Sequence, residues 1–102
     1  TDKITVVFQP HTYSRTLFLK ERFKEVFKGI PDVILYKTYA ARENYVAGGG
    51  AYDLYKEIGG DAEYFEDAGK LLKTLKKRAD KGGIILILGA GDLYDEMKKL
   101  LN

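Results

Sequence analysis

The sequence predicts the α/β fold class, and three observations predict it. Short strand-like runs occur four times along the 102 residues, the first rich in β-branched residues and the fourth the most apolar. Each is followed by a stretch in which apolar side chains return every three or four positions, the helical period. Breaks containing glycine or proline separate the two kinds of segment. An order β-α-β-α-β-α-β-α implies a mainly parallel sheet with helices on both faces, joined by right-handed crossovers.

The first run, residues 4–8, is continuously apolar and closes on Gln9-Pro10. A strand of that kind suits burial on both faces. The helix that follows carries Leu19, Phe23, Val26 or Phe27, and Ile30 on one side, with charged residues between, and Gly29 and Pro31 stop it. Residues 32–37 are the second strand. A long irregular connection, 38–50, leads to a short helix with Leu54, Tyr55 and Ile58 on one face, ended by Gly59-Gly60. Residues 62–65 make a short third strand. Asp67 caps a helix that turns Ala68, Leu71, Leu72, Leu75 and Ala79 inward, and Lys81-Gly82-Gly83 ends it. Residues 84–89 form the most apolar strand, and Gly91-Asp92 opens a last helix with Leu93, Met97 and Leu100 on its buried side. The first and fourth strands, the most apolar, are expected in the middle of the sheet and the third at an edge. The order adopted is 3-2-1-4, a Rossmann-like three-layer arrangement in a single domain spanning 1–102. The start at Thr1, almost directly on a strand, reads as a piece excised from something longer.

Composition narrows the function. Apolar residues make up 45%, the net charge is +2 with both signs interspersed, and there is no cysteine. Disorder, a disulfide framework and a thiolate nucleophile are thereby excluded. One histidine and no cysteine leave no zinc site, and the phosphate-loop pattern is absent. The lysines at 70, 73, 76, 77 and 81, with Arg78, read as the solvated face of one helix rather than a nucleic-acid stripe. No apolar stretch is long enough to span a bilayer, no leader pattern is present, and a cytoplasmic location is expected.

In the order 3-2-1-4, a crevice opens between the carboxyl ends of strands 1 and 4, where such sheets bind ligands. The loops bordering it are residues 9–15, QPHTYSR, and 89–92, GAGD. Pro10 stiffens the exit from the strand. His11 can donate, accept or titrate near neutrality, and Arg15 offers a planar fork for a carboxylate or phosphate. Ser14 or Thr12 can cap the next helix, whose N–H groups favour an anion. His11 and Tyr13 can equally satisfy backbone groups of an ordinary capped loop. GAGD lacks the third glycine of a dinucleotide fingerprint and reads as a tight turn with Asp92 as a cap. Arg42, Glu43 and Asn44 read as a solvated polar and charged trio in the loop, and the glycines at 48–50 as hinge-like or simply flexible.

VVFQPHTYSRT followed by an amphipathic helix resembles the C-terminal domain of the Mur ligase family, in its alanine-adding branch. The later YAARE, the basic helix and ILILGAGD agree in order and spacing, so the resemblance covers nearly the whole chain. It implies an ATP-dependent amide ligase of peptidoglycan synthesis, joining L-alanine to UDP-N-acetylmuramate through an acyl phosphate. ATP and magnesium would be bound mainly by domains absent here, with the central ATPase domain of the same chain as partner, and this domain would be inactive by itself. The resemblance assigns His11 and Arg15 to the alanine and the reacting carboxylate, and adds Tyr13 of the same motif and Arg42 as substrate-binding residues. Thr12 stands where some members carry a second arginine. No catalytic residue and no metal ligand is expected in the chain. The competing expectations are a free-standing Rossmann-like nucleotide- or anion-binding module and a purely structural or interaction domain.

Overall fold

The computed structural model of the chain describes residues 4–89 and 93–101. Four strands, β1 (Ile4–Gln9), β2 (Val33–Tyr36), β3 (Glu63–Phe65) and β4 (Ile84–Gly89), form one all-parallel sheet in the order β3-β2-β1-β4. The helices are α1 (Tyr13–Phe18), α2 (Lys20–Lys28), α3 (Ala51–Ile58), α4 (Ala68–Asp80) and α5 (Leu93–Leu101). The α/β class, the strand order and the three layers are as the sequence predicts.

Alternation along the strands divides the core in two. Val6, Val33 and Leu35 meet Phe27 of α2 and Leu54 of α3 on one face, with Phe23, Ile30, Tyr55 and Ile58 around them. Val7, Ile34 and Tyr36 meet Leu71, Leu72 and Leu75 of α4 and Leu93 of α5 on the other. Each fully buried aliphatic side chain contributes about 1.5–3 kcal/mol. α2 therefore leaves β1 toward one face and α5 leaves β4 toward the other, which is the strand-order switch that the pattern required.

Several expectations are corrected. β4 is an edge strand, with β1 as its one neighbour among the described residues. Ile85 and Ile87 pack under the α4 side, but Ile84, Leu86 and Leu88 on the opposite pleat are 50%, 49% and 41% exposed. The helices of that face, α2 and α3, pack on the residues of β1 and β2. The first helix is two pieces, broken at Leu19, whose φ −99° and ψ 8° leave the helical range. Phe27 takes the buried position and Val26 is exposed. Ala79 is exposed. Arg78 departs from the solvated basic face: it reaches the amino edge of the sheet and pairs with Asp32 and Glu63. Asp67 caps α4 as expected, its Oδ1 accepting from Gly69 N–H at 2.9 Å. Ala90, Gly91 and Asp92, and the side chains of Met97 and Leu100, lie outside the described residues.

Candidate functional site

The site is built where β1 runs out. Beyond Gln9 the pairing with β2's continuation persists without a regular strand. Tyr39 N–H donates to Pro10 C=O at 2.9 Å and Thr12 N–H donates to Tyr39 C=O at 2.8 Å. Proline is tolerated in this ladder because only its carbonyl is used. His11 is thereby set beside Tyr39, the two rings stacked at 5.6 Å. The chain then turns sharply. Thr12 has φ 62° and ψ 153°, a region costly for a β-branched residue, on the order of 1–3 kcal/mol. Bonds on both sides hold it there: Thr12 C=O accepts the Thr16 hydroxyl at 2.7 Å, and Thr12 Oγ1 accepts Arg15 N–H at 3.4 Å.

Thr12, not Ser14, is the N-cap of α1. The N–H groups that the sequence offered to a ligand are already engaged. Glu43 Oε1 accepts from Tyr13 N–H at 2.8 Å and from Ser14 N–H at 3.0 Å, while Ser14 Oγ donates to Glu43 Oε2. The hydroxyl and amides of Ser14, with Tyr13 N–H, hold the Glu43 carboxyl below its ordinary value.

The remaining predicted residues separate. Arg15 is exposed and lies on a hollow of about 520 Å³ walled by Thr12, Ser14, Phe18 and Leu19. Phe18 is 86% exposed on its rim. Tyr13 turns the other way, its ring edge-on to Tyr45 at 5.4 Å, beside Lys37, Thr38 and Tyr64 in a separate hollow of about 420 Å³. Arg42 stands exposed in the turn that Glu43 N–H closes onto Ala40 C=O. Among the described residues, no hydrogen bond or ion pair joins His11 to Arg15, and neither Arg15 nor Arg42 has a carboxylate partner. Both guanidinium groups are thus available to an anion. A larger hollow of about 610 Å³ lies at the opposite, amino edge, between Ile4, Ile30, Pro31 and Gly83. Its charged lining is Arg78, already paired with Asp32, together with Lys81, and it stands at the edge of the sheet away from the loop that carries His11 and Arg15.

Three further residues shape the carboxyl edge and were not singled out. Gln9 is buried, and its amide ties the end of β2 to the start of α5, donating to Lys37 C=O at 3.2 Å and accepting Leu93 N–H at 3.1 Å. A polar residue ending an apolar run was the available signal, since buried amides are hydrogen-bonded. Gly89 sits with φ 152° against β1, where an added Cβ would lie 3.0 Å from Gln9 C=O. Glu43 had no such signal, being one of three consecutive polar residues in a surface loop. The hinge reading of the glycines at 48–50 is also corrected. Gly49 and Gly50 are buried, and Asp53 Oδ2 accepts both Gly50 N–H at 3.0 Å and the Tyr45 hydroxyl at 2.7 Å.

Among the described residues, no helix is long and apolar enough to cross a membrane, and no group of three histidines or carboxylates could hold a metal ion. No family model matches the chain. Curated relatives do. The chain is 41% identical over 95 residues to the UDP-N-acetylmuramate–L-alanine ligase of Acetivibrio thermocellus, covering 90% of the chain and 20% of that protein. It is 40% identical over 104 residues to the ligase of that name from Caldicellulosiruptor saccharolyticus, covering 99% and 23%. With that of Aquifex aeolicus it shares 40% identity over 90 residues, covering 88% and 19%. The chain thus spans about a fifth of the length of the curated relatives it matches. That similarity bears out the resemblance carried by the first strand and its loop: over nearly all of its own length, the chain is homologous to one part of the UDP-N-acetylmuramate–L-alanine ligases.

Proposed function

We propose that the chain is the C-terminal, substrate-closing domain of a cytoplasmic, ATP-dependent ligase that joins L-alanine to UDP-N-acetylmuramate in peptidoglycan synthesis. In that reaction a muramate carboxylate oxygen takes the γ-phosphoryl group of ATP, releasing ADP. The alanine amine then attacks the acyl carbon, the phosphate leaves, and the amine loses a proton. Among the described residues there is no carboxylate cluster suited to magnesium, and the sequence has no phosphate loop. ATP and magnesium would be held mainly by other domains of the full-length ligase, and no step of their chemistry is assigned to this chain.

The chain's own contribution is orientation and charge. The observation that carries the reading is the Arg15 guanidinium, unpaired at the carboxyl edge of the sheet on a stiff, doubly anchored turn, in a loop shared with the motif of the resemblance. Arg15 meets the carboxylate of the incoming amino acid and His11 stands beside the reacting groups. Arg42, on the neighbouring turn, supplements that charge, and Tyr13 supports the loop from its far side. A domain closing over the acyl phosphate also excludes water from a bond that would otherwise hydrolyse. The test is Arg15→Ala in the full-length ligase. Loss of a charge-assisted pair lowers kcat/KM for L-alanine about 10–100-fold. Kinetics unchanged for L-alanine would remove Arg15 from the site.

A further inference from the structure

We propose that Glu43 is a positioning residue of this site: its carboxylate clamps the strained turn between His11 and Arg15 and occupies the backbone N–H groups there, so that the substrate carboxylate is left to the Arg15 guanidinium. The kinetic side of this inference rests on the function proposed above.

The geometry is specific. One carboxylate takes three donors from two consecutive residues: Tyr13 N–H at 2.8 Å, Ser14 N–H at 3.0 Å and the Ser14 hydroxyl. Those residues lie between the two side chains that the site needs. On the other side of Thr12, Tyr39 brackets the same turn through its backbone, bonding both Pro10 C=O and Thr12 N–H. Tyr39 and Glu43 belong to one connection, so the loop after β2 grips the loop after β1 at two points, one on each flank of Thr12. A residue at φ 62° persists only where its surroundings over-determine it, and these contacts supply that. The positive end of the first turn is filled from within the protein. An incoming carboxylate finds no unoccupied N–H pair at Tyr13 and Ser14, and the cation that continues that turn is Arg15, on its own hollow. Glu43 thereby both aims Arg15 and removes a competing place for the anion.

The experiment is done in the full-length ligase. Glu43→Ala is expected to lower kcat/KM for L-alanine about 10-fold or more, chiefly through KM, as orientation of a binding group is lost. Added formate, able to enter the vacated N–H pair, recovers part of that loss in Glu43→Ala and none in wild type or Arg15→Ala. Glu43→Gln, whose amide oxygen still accepts from both N–H groups, stays within about 3-fold of wild type. Glu43→Asp keeps the charge but withdraws it by one methylene. It carries the same test should the alanine variant fail to fold, with a raised KM expected. Glu43→Ala or Glu43→Asp indistinguishable from wild type, while Arg15→Ala is impaired, overturns the positioning role and leaves the ligase reading intact. Equal losses in the alanine and glutamine variants without response to formate also overturn it, since that pattern marks general destabilisation. Arg15→Ala with wild-type kinetics takes down the site itself and this inference with it.

Discussion

Replacing Gly49 by alanine tests whether the loop after β2 is packed against the site or hangs free. A Cβ built at Gly49 lies 2.4 Å from Tyr13 C=O oxygen, 3.0 Å from Tyr13 carbonyl carbon and 3.2 Å from Val46 C=O oxygen. All three are backbone atoms, so no side chain can rotate away. Ordinary van der Waals contact requires 3.4 Å or more, and the loop must back off by about 1 Å. Overpacking of that kind costs about 1–3 kcal/mol. For a chain of this size, 1 kcal/mol moves Tm by roughly 4–8 °C, so a central value of about 2 kcal/mol lowers Tm by about 8–16 °C. The matched control is Gly29→Ala, where the nearest atom to the new Cβ is Val26 C=O oxygen at 3.7 Å and φ is −85°. A residue in that allowed conformation changes stability by about 0.5 kcal/mol or less. Thermal unfolding followed by far-UV circular dichroism measures both. A Gly49→Ala variant melting within about 2 °C of wild type would show that the 48–50 segment yields freely and is not held against Tyr13.

Two further predictions concern charge. Glu57 accepts from Lys20 and Lys24, which hold its carboxyl below its ordinary value, as Ser14 does for Glu43. A depressed folded-state pKa stabilises above the unfolded value of 4.5 and is lost as pH falls through the folded one. Stability measured in urea should therefore drop as pH is lowered below about 4.5, with a shallower slope in Glu57→Gln; an unchanged slope rejects the pairing. Arg78→Ala leaves Asp32 and Glu63 facing each other's charge at the amino edge, and a loss of about 1–2 kcal/mol is expected for groups only partly exposed. Lys77→Ala one position earlier should change urea stability by less than about 0.5 kcal/mol, and equal effects would return Arg78 to the solvated face.

The alternation of apolar runs, the helix stops at Gly29 and Gly82 and the cap at Asp67 were legible because each depends on neighbours within about four residues. Strand order followed from the same pattern plus the handedness of crossovers. The loop at residues 9–15 stood out as a candidate for a related reason: its polar residues follow directly on an apolar strand. Other features were decided by the folded chain alone. An apolar run reads alike whether both faces are covered or one is bare, so the exposure of Ile84, Leu86 and Leu88 on β4 depended on how far α2 and α3 extend across the sheet. Arg78 looked like its lysine neighbours until Asp32 and Glu63 were brought to it from distant strands. Glu43 took its three donors from residues 29 and 30 positions away, a separation at which no local pattern announces a partner. Hydrogen bonding within a turn or pleat is written in residue spacing. Which carboxylate meets which backbone across two loops follows only once crossovers, strand pairing and packing have placed those loops together.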